Sequence, residues 1–512
     1  MRRLTATLTS LLVLLSAAVG AAAGDDTTAR CQSLAHVQAP QTELTAATLV
    51  TDREDLAAFC QLEGRIAGRV GFVMRLPAAN WNGKFVVTGC GGFCGSLVPD
   101  KPGYSNSMNE SLKLGFAVIQ TDSGHTAQNW ETDWALADDE ALALYAGAWM
   151  PLAVTTGRSF IDSYYTEAPR RTYFSGCSNG GRLGLFAAQR YPALFDGIAA
   201  GGGIFDLSGN AGVHGLWLLQ STRDRDGHAV INVNKIALLE HHVMAQCDRL
   251  DGVTDGVVSQ PELCTPQLDT LQCAPGKDAA DCITARERVA IERLYQGARV
   301  DGVQLYPGIP PGSESLWPIW ITGTDEKPAW GELAAEGYLR MTYRVPSSRP
   351  FNAHDYDLGA ESGRLQRLAP RLNATDSDLS ALNKAGGKLF YYHGMADPLI
   401  LPGRAQQYFQ DAAALQGEKQ LAEFARFVMV PGQGHCWEKP GQVADDFNPL
   451  VVIDRWVESG EAPDYVLAEQ RSAEGRLVRA RRLCPLPAVA QFMGGDTNAA
   501  GNFACVIPPN NP

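Results

Sequence analysis

A chain of 512 residues is longer than one ordinary core needs, so a large domain carrying a sizeable insertion is expected. With 45% hydrophobic and 19% charged residues and no low-complexity tract, its make-up is that of a folded globular protein. A formal charge of −13 argues against a nucleic-acid partner, which needs a clustered basic surface, and is compatible with a bound cation.

The chain opens with an export-signal pattern over residues 1–23. Arg2 and Arg3 give a positive start, residues 11–19 an apolar centre, and Ala21, Ala22 and Ala23 a small-residue cleavage region. The apolar part is too short to span a bilayer comfortably and no later segment reaches that length, so no membrane association is expected after signal removal. The expected location is secreted or periplasmic. All 12 cysteines follow the signal, and an even count in an exported chain predicts disulfides.

Strand-like runs follow at residues 70–74, 84–88 and 116–121, then a helical stretch from about 139 to 164, then a strand at 172–175. A second block holds a strand at 389–392, a helix from about 402, a strand at 426–430 and a helix at about 443–458. Alternating strands and helices predict an α/β fold, with a mostly parallel sheet covered on both faces. Residues 24–204 and 380–512 are assigned to this catalytic domain. Between them the alternation fails. Residues 205–379 hold four cysteines, many Pro and Gly, and Trp217, Trp317, Trp320 and Trp330, and read as an inserted lid domain.

Gly176-Cys177-Ser178-Asn179-Gly180 fits G-x-S-x-G directly after a predicted strand and directly before a helical pattern, the context of a nucleophile elbow. So sharp a turn needs glycine beside the serine, and it aims the free N–H groups of the helix start at a substrate carbonyl. Ser178 is the expected nucleophile and the Asn179 N–H one oxyanion donor. A second donor is expected from the Gly-rich loop 88–93, at Gly91 or Gly92. The acid and base should follow in the order Asp, His. Asp397 sits just past the strand 389–392, and His435 on the corresponding loop after the next strand, where catalytic groups gather in open α/β sheets. His393 reads as strand-end packing, and His241 and His242 as helix residues of the insert.

Cys177 immediately precedes the serine and Cys436 immediately follows the histidine, so a bridge between them would tie the two loops together. This Cys-Ser, Asp, His-Cys arrangement resembles the tannase and feruloyl esterase family. The resemblance extends over Trp81-Asn-Gly-Lys84, Thr121-Asp-Ser-Gly-His125, Cys177–Arg182, Cys247–Gly256 and Gly434-His-Cys436, most of the mature chain. It implies an α/β-hydrolase core, a lid between Ser and Asp, and hydrolysis of esters of aromatic acids: gallates, hydroxycinnamates or a hydroxyethyl terephthalate monoester. The stretch 248–255 crowds the hard oxygen ligands Asp248, Asp251 and Asp255 beside Gly252 and Gly256, which alone suits either a calcium loop or an acidic turn. The resemblance favours structural calcium, with the carbonyls of Val253 and Val257 as further ligands, far from the chemistry. No organic cofactor is expected. It also suggests the pairs Cys247–Cys264, Cys273–Cys282 and Cys484–Cys505. For the cysteines that remain, Cys31–Cys60 and Cys90–Cys94 are favoured.

The reading is a secreted serine ester hydrolase forming an acyl-enzyme on Ser178 with a small-molecule aromatic ester as substrate. Trp317, Trp320 and Phe351, with Trp330 and Tyr338, are candidates for an aromatic clamp from the lid. Arg340 and Arg344 could face a substrate carboxylate but read as ion-paired or surface residues. The alternatives are other acyl chemistry, such as a peptidase or thioesterase, and a non-catalytic secreted binding protein that keeps the fold. No pattern speaks to oligomeric state.

Overall fold

Apolar runs of five to eight residues build the centre of the molecule, because a strand buried on both faces needs an apolar residue at nearly every position. Lys84–Thr88 and Ala117–Thr121 are buried throughout. The computed structural model describes residues 26–324, 327–436 and 442–508, so the expected export signal lies outside the described residues. The strands are β1 (Thr42–Val50), β2 (Phe59–Ile66), β3 (Val70–Pro77), β4 (Lys84–Thr88), β5 (Ala117–Thr121), β6 (Arg171–Cys177) and β7 (Gly197–Gly201). A two-residue pair, β8 (Arg299–Val300) and β9 (Val303–Gln304), precedes β10 (Lys388–Gly394) and β11 (Ala425–Val430).

Nine of these form one sheet in the order β1-β2-β3-β5-β4-β6-β7-β10-β11. The β1, β2, β3 and β5 neighbours pair antiparallel, and from β5 onward every pair is parallel. Side chains alternate between two cores. Phe85, Val87, Phe174, Ile198 and Tyr391 face one, while Val86, Tyr173, Ala199, Phe390 and Tyr392 face the other. Helices Met150–Tyr165 and Asn179–Arg190 supply residues to the first face, and Pro449–Ser459 to the second. This is the α/β-hydrolase arrangement expected.

The expected helix 139–164 is broken. Helix Asp139–Ala143 passes into a π turn, Leu144–Ala148, where Gly147 takes φ 139°, before helix Met150–Tyr165 resumes. The expected helix 443–458 starts only at Pro449, capped by the Asn448 side chain on the amides of Leu450 and Val451.

Between β7 and β10 the chain assembles a second core of its own, including Leu216, Leu239, Ile291, Trp317, Leu339 and Leu365. Past the last helix, β12 (Val466–Arg471) pairs with β13 (Leu477–Leu483), and β14 (Val489–Phe492) with β15 (Phe503–Val506). The six expected disulfides all form: Cys31–Cys60, Cys90–Cys94, Cys177–Cys436, Cys247–Cys264, Cys273–Cys282 and Cys484–Cys505. Among the described residues no helix is long and apolar enough to cross a membrane.

Candidate active site

Strand β6 ends at Cys177, helix Asn179–Arg190 begins two residues later, and Ser178 between them is forced to φ 64°, ψ −124°. An L-residue adopts such a conformation only where its surroundings over-determine it. Here the Ser178 N–H donates to the Gly201 carbonyl (2.9 Å), and its own carbonyl accepts from Arg182 N (3.0 Å) and Ile204 N (3.3 Å). Asn106 clamps the preceding residue, accepting from Cys177 N (3.1 Å) and donating to the Cys177 carbonyl (3.2 Å). A Cβ on Gly180 would stand 2.2 Å from Asn106 Oδ1, and one on Gly176 2.9 Å from the Gly180 backbone, so both elbow glycines are sterically required.

Asp397 and His435 meet at the carboxyl ends of β10 and β11. His435 Nδ1 donates to Asp397 Oδ2 at 2.8 Å, and Asp397 Oδ1 accepts from the amides of Leu399 and Ile400, each at 2.9 Å. Burial pushes this carboxyl up, but the opposing pull of His435 and of His393 prevails and holds it well below the usual carboxylate range. His393 Nε2 lies 3.5 Å from Asp397 Oδ2 yet bonds the Ile400 carbonyl at 2.7 Å, while its Nδ1 accepts from the Tyr391 hydroxyl at 2.9 Å. His393 thus packs beneath the pair as a strand-end residue.

Asn179 is buried, and its side chain ties the elbow to the Gly-rich loop. Oδ1 accepts from the Tyr145 hydroxyl (3.1 Å) and from Arg182 Nε (2.7 Å), while Nδ2 reaches Cys94 Sγ at 3.1 Å. Gly91 and Gly92 lie within the Cys90–Cys94 loop, and Gly92, at φ 56°, packs against the Asn129 backbone. Among the described residues the backbone N–H groups of Gly91, Gly92 and Asn179 have no protein acceptor.

Ser178, His435, Gly91 and Gly92 all line one cavity of ≈ 890 Å³. Trp320 and Trp330 come to it from the stretch between β7 and β10, and Trp130 from the loop after β5. Trp130 and Trp330 meet edge-on at 5.2 Å between centroids, and Trp320 stands edge-on to the His435 ring at 5.0 Å. The wall also carries polar residues, Lys101, Tyr104, Glu110, Asp446, Glu469 and Arg471.

Three expected clamp residues are elsewhere. Trp317 is fully buried and its Nε1 donates to Ser313 Oγ (3.1 Å), so it fills the second core and not the cavity. Phe351 stacks on Tyr356 at 5.3 Å and carries the Arg340 guanidinium over its face, outside the cavity lining. Tyr338 is also buried, donating to Ser208 Oγ and the Leu365 carbonyl. Arg340 pairs with Glu336 at 2.7 Å, and neither it nor Arg344 lines the cavity. Sequence reasoning missed Trp130 and Asn106, which stand in loops without a motif.

In the loop 248–257, Asp248 accepts from the amides of Asp255 and Gly256, each at 3.1 Å, and Asp251 from Val253 N at 2.9 Å. Asp255 Oδ2 holds the Arg481 guanidinium at 2.5 Å, with Arg479 at 3.3 Å, joining the loop to β13. Burial, with the nearby Asp255 and Asp248 charges added, pushes Asp251 up. Asp255 Oδ1 is buried without a partner, and among the described residues the Val253 and Val257 carbonyls accept no hydrogen bond. That oxygen-only donor set fits a hard cation, although Asp248 is turned to amides and Asp255 to arginine. The loop is closer to the chemistry than expected: a Cβ on Gly432, three residues before His435, would lie 2.8 Å from Val257 Cγ1.

The family model for tannase and feruloyl esterase matches residues 54–506. The chain is 31% identical to a mono(2-hydroxyethyl) terephthalate hydrolase of Piscinibacter sakaiensis, over 91% of this chain and 87% of that protein. It is 28% identical to feruloyl esterase B of Aspergillus niger, over 83% and 82%. In fold it is similar to the crystal structure of feruloyl esterase B from Aspergillus oryzae, with a TM-score of 0.81 at 24% identity, covering 94% of this chain and 100% of that one.

Proposed function

The chain belongs to the tannase and feruloyl esterase family, and from that premise we propose that it is a secreted ester hydrolase cleaving esters of aromatic acids through an acyl-enzyme on Ser178. The observation that carries this reading is the buried Asp397–His435 pair opening, with Ser178, onto a cavity walled by Trp130, Trp320 and Trp330.

Ser178 Oγ attacks the ester carbonyl while His435 Nε2 takes its proton, and the ionised Asp397 fixes the tautomer and stabilises the imidazolium. The Asn179 N–H and one from Gly91 or Gly92 receive the oxyanion, each such donor contributing about 3 kcal/mol in comparable sites. As the tetrahedral adduct collapses, His435 returns the proton to the departing alcohol. Water, activated by the same imidazole, then releases the acid. The tryptophans suit a flat acyl ring, and the polar residues of the wall suit the alcohol. The stretch 205–379, which brings Trp320 and Trp330, serves as the lid. Export is supported by the sequence signal and the six disulfides. A calcium ion would be held by Asp248, Asp251, Asp255 and the carbonyls of Val253 and Val257, where it would neutralise crowded carboxylates and fix the loop.

Arg471 and Lys101 are the arginine and lysine lining the large cavity among the described residues, and Glu469 binds Arg471. Hydrolysis of methyl gallate, methyl ferulate and mono(2-hydroxyethyl) terephthalate, set beside amide and thioester analogues, tests the reading. Turnover of the aromatic oxygen esters is expected, with Ser178→Ala removing both turnover and fluorophosphonate labelling. Cleavage of the amides or thioesters alone would overturn it.

A further inference from the structure

Beside Ser178 the large cavity continues into a smaller one of ≈ 70 Å³, and Gly92, Ser178, Ala334 and Leu399 line both. The walls of the smaller space are mostly apolar, including Phe93, Ile204, Leu207 and Leu218. Besides Tyr145 and the elbow residues Ser178 and Asn179, two polar side chains interrupt them. Asn210 and His214 are only 4% and 2% exposed. Asn210 Nδ2 donates to the Leu399 carbonyl at 2.9 Å, but its Oδ1 is without a partner, and so are both ring nitrogens of His214. A buried polar atom left unpaired costs on the order of 1–3 kcal/mol, so three such atoms facing one pocket call for a ligand that completes them.

The backbone fixes both side chains there. They lie on a π turn, Ser208–His214, whose wider register is a feature of functional sites. Its glycines press it onto helix Trp330–Tyr343: a Cβ on Gly212 would stand 2.8 Å from the Tyr338 ring, and one on Gly215 2.9 Å from Ala335 Cβ. Burial pushes His214 down to about 4, so the imidazole is neutral near pH 7 and offers one donor and one acceptor. Asn210 Oδ1 adds a second acceptor.

We propose that Asn210 and His214 form a binding site for a hydroxyl group on the aromatic ring of the acyl moiety, which rests on the ester-hydrolase reading above. A phenolic hydroxyl is both donor and acceptor. Its proton goes to Asn210 Oδ1 and its oxygen accepts the imidazole N–H, which pairs two of the three atoms. Size agrees with this. The smaller space is about half the roughly 150 Å³ cavity that takes benzene, so it admits the hydroxyl-bearing edge of a ring whose body lies over Ser178.

The test compares kcat/KM for methyl 4-hydroxybenzoate against methyl benzoate, and for methyl 4-hydroxycinnamate against methyl cinnamate. Loss of one hydrogen-bonded group in a site of this kind predicts a preference of about tenfold or more for the hydroxylated ester. Asn210→Leu combined with His214→Phe should bring the ratio close to one, while His214→Gln, which keeps a donor and an acceptor, should retain most of it. Calorimetric binding of the same esters to Ser178→Ala should show the same preference without turnover. A wild-type ratio near one with both esters cleaved sinks the hydroxyl site and leaves the esterase reading standing. Turnover of p-nitrophenyl acetate with no aromatic ester cleaved overturns both. If the double variant does not fold, the single variants Asn210→Leu and His214→Phe decide, an unchanged preference in both counting against the site.

Discussion

Cys177 and Cys436 are bonded to each other across 259 residues of chain, with Cα atoms 6.2 Å apart, and each is the immediate neighbour of a residue of the proposed triad, Ser178 and His435. The bond therefore joins the β6 elbow to the loop after β11 directly beside the groups that must exchange a proton. Cys436 lines the cavity, so a small reductant can reach it. In the chain-entropy model a closure of this length stabilises by roughly 5 kcal/mol, but its local effect is register. Replacing both cysteines by alanine should lower kcat by at least about tenfold at temperatures where far-UV circular dichroism is unchanged, since small misplacements are costly in positioned chemistry. Equal loss of activity and of ellipticity would make the bridge purely structural.

Asp397→Asn should reduce kcat by about 10⁴, as the corresponding change does in a serine protease. The reason is directional. The amides of Leu399 and Ile400 both donate to Oδ1, which keeps an oxygen at that position and turns the new NH₂ toward His435. His435 Nδ1 would then have to accept, placing the ring proton on Nε2, where the serine proton must go. Steady-state kinetics measures the loss, and an unchanged melting temperature separates it from unfolding.

The turn at Ser178 and the meeting of Asp397 with His435 were legible because a G-x-S-x-G turn and two strand-end loops carry local rules. Strand β7 was not. Its sequence, Gly-Ile-Ala-Ala-Gly, has small residues where the Tyr392 ring and helix Asn179–Arg190 come too close for larger ones, so it lacks the apolar run that marks a strand. The clamp was half legible. Trp317 and Trp320 stand three residues apart, yet one faces the second core and the other the His435 ring, a division set by tertiary packing and not by residue type. Asn210 and His214 gave no signal, because the π turn that aligns them has no sequence motif.

Asn106 acts on the nucleophile through Cys177, whose N–H and carbonyl it holds from both sides. Asn106→Ala leaves two buried backbone groups unpaired, each costing about 1–3 kcal/mol. The melting temperature should fall, and kcat should drop by more than KM rises, because the elbow conformation at Ser178 loses its clamp. A change confined to KM would assign Asn106 to substrate binding instead.

Chelation tests the acidic loop. With a calcium-selective chelator the melting temperature should fall by several degrees and return with added calcium but not magnesium, as a ligand at 100 times its Kd stabilises by about 2.7 kcal/mol. Asp251→Asn should abolish the calcium response. Because Val257 packs on Gly432, activity near the lowered transition should fall with stability. No shift on chelation would leave the loop an acidic turn held by Arg479 and Arg481.

Glu314 contributes to the pH dependence of stability. It is fully buried, accepts from the Tyr295 hydroxyl (2.7 Å) and the Gly312 amide, and starts the turn leading into helix Trp317–Trp320. Burial pushes it up to about 7 from an ordinary value of 4.5. Below about 4.5 it is protonated in both states and above about 7 ionised in both, so only the interval between matters. There the folded chain keeps a proton at Glu314 that the unfolded chain has released, so the contribution of Glu314 to stability falls as pH rises through that interval. At about 1.4 kcal/mol per pH unit the total is on the order of 3 kcal/mol. Glu314→Gln keeps an acceptor for Tyr295 but cannot ionise, so its melting temperature should decline less between pH 5 and 8 than that of the wild type. Calorimetric scans across this range measure the difference, and parallel curves for the two proteins would show that Glu314 does not set the slope.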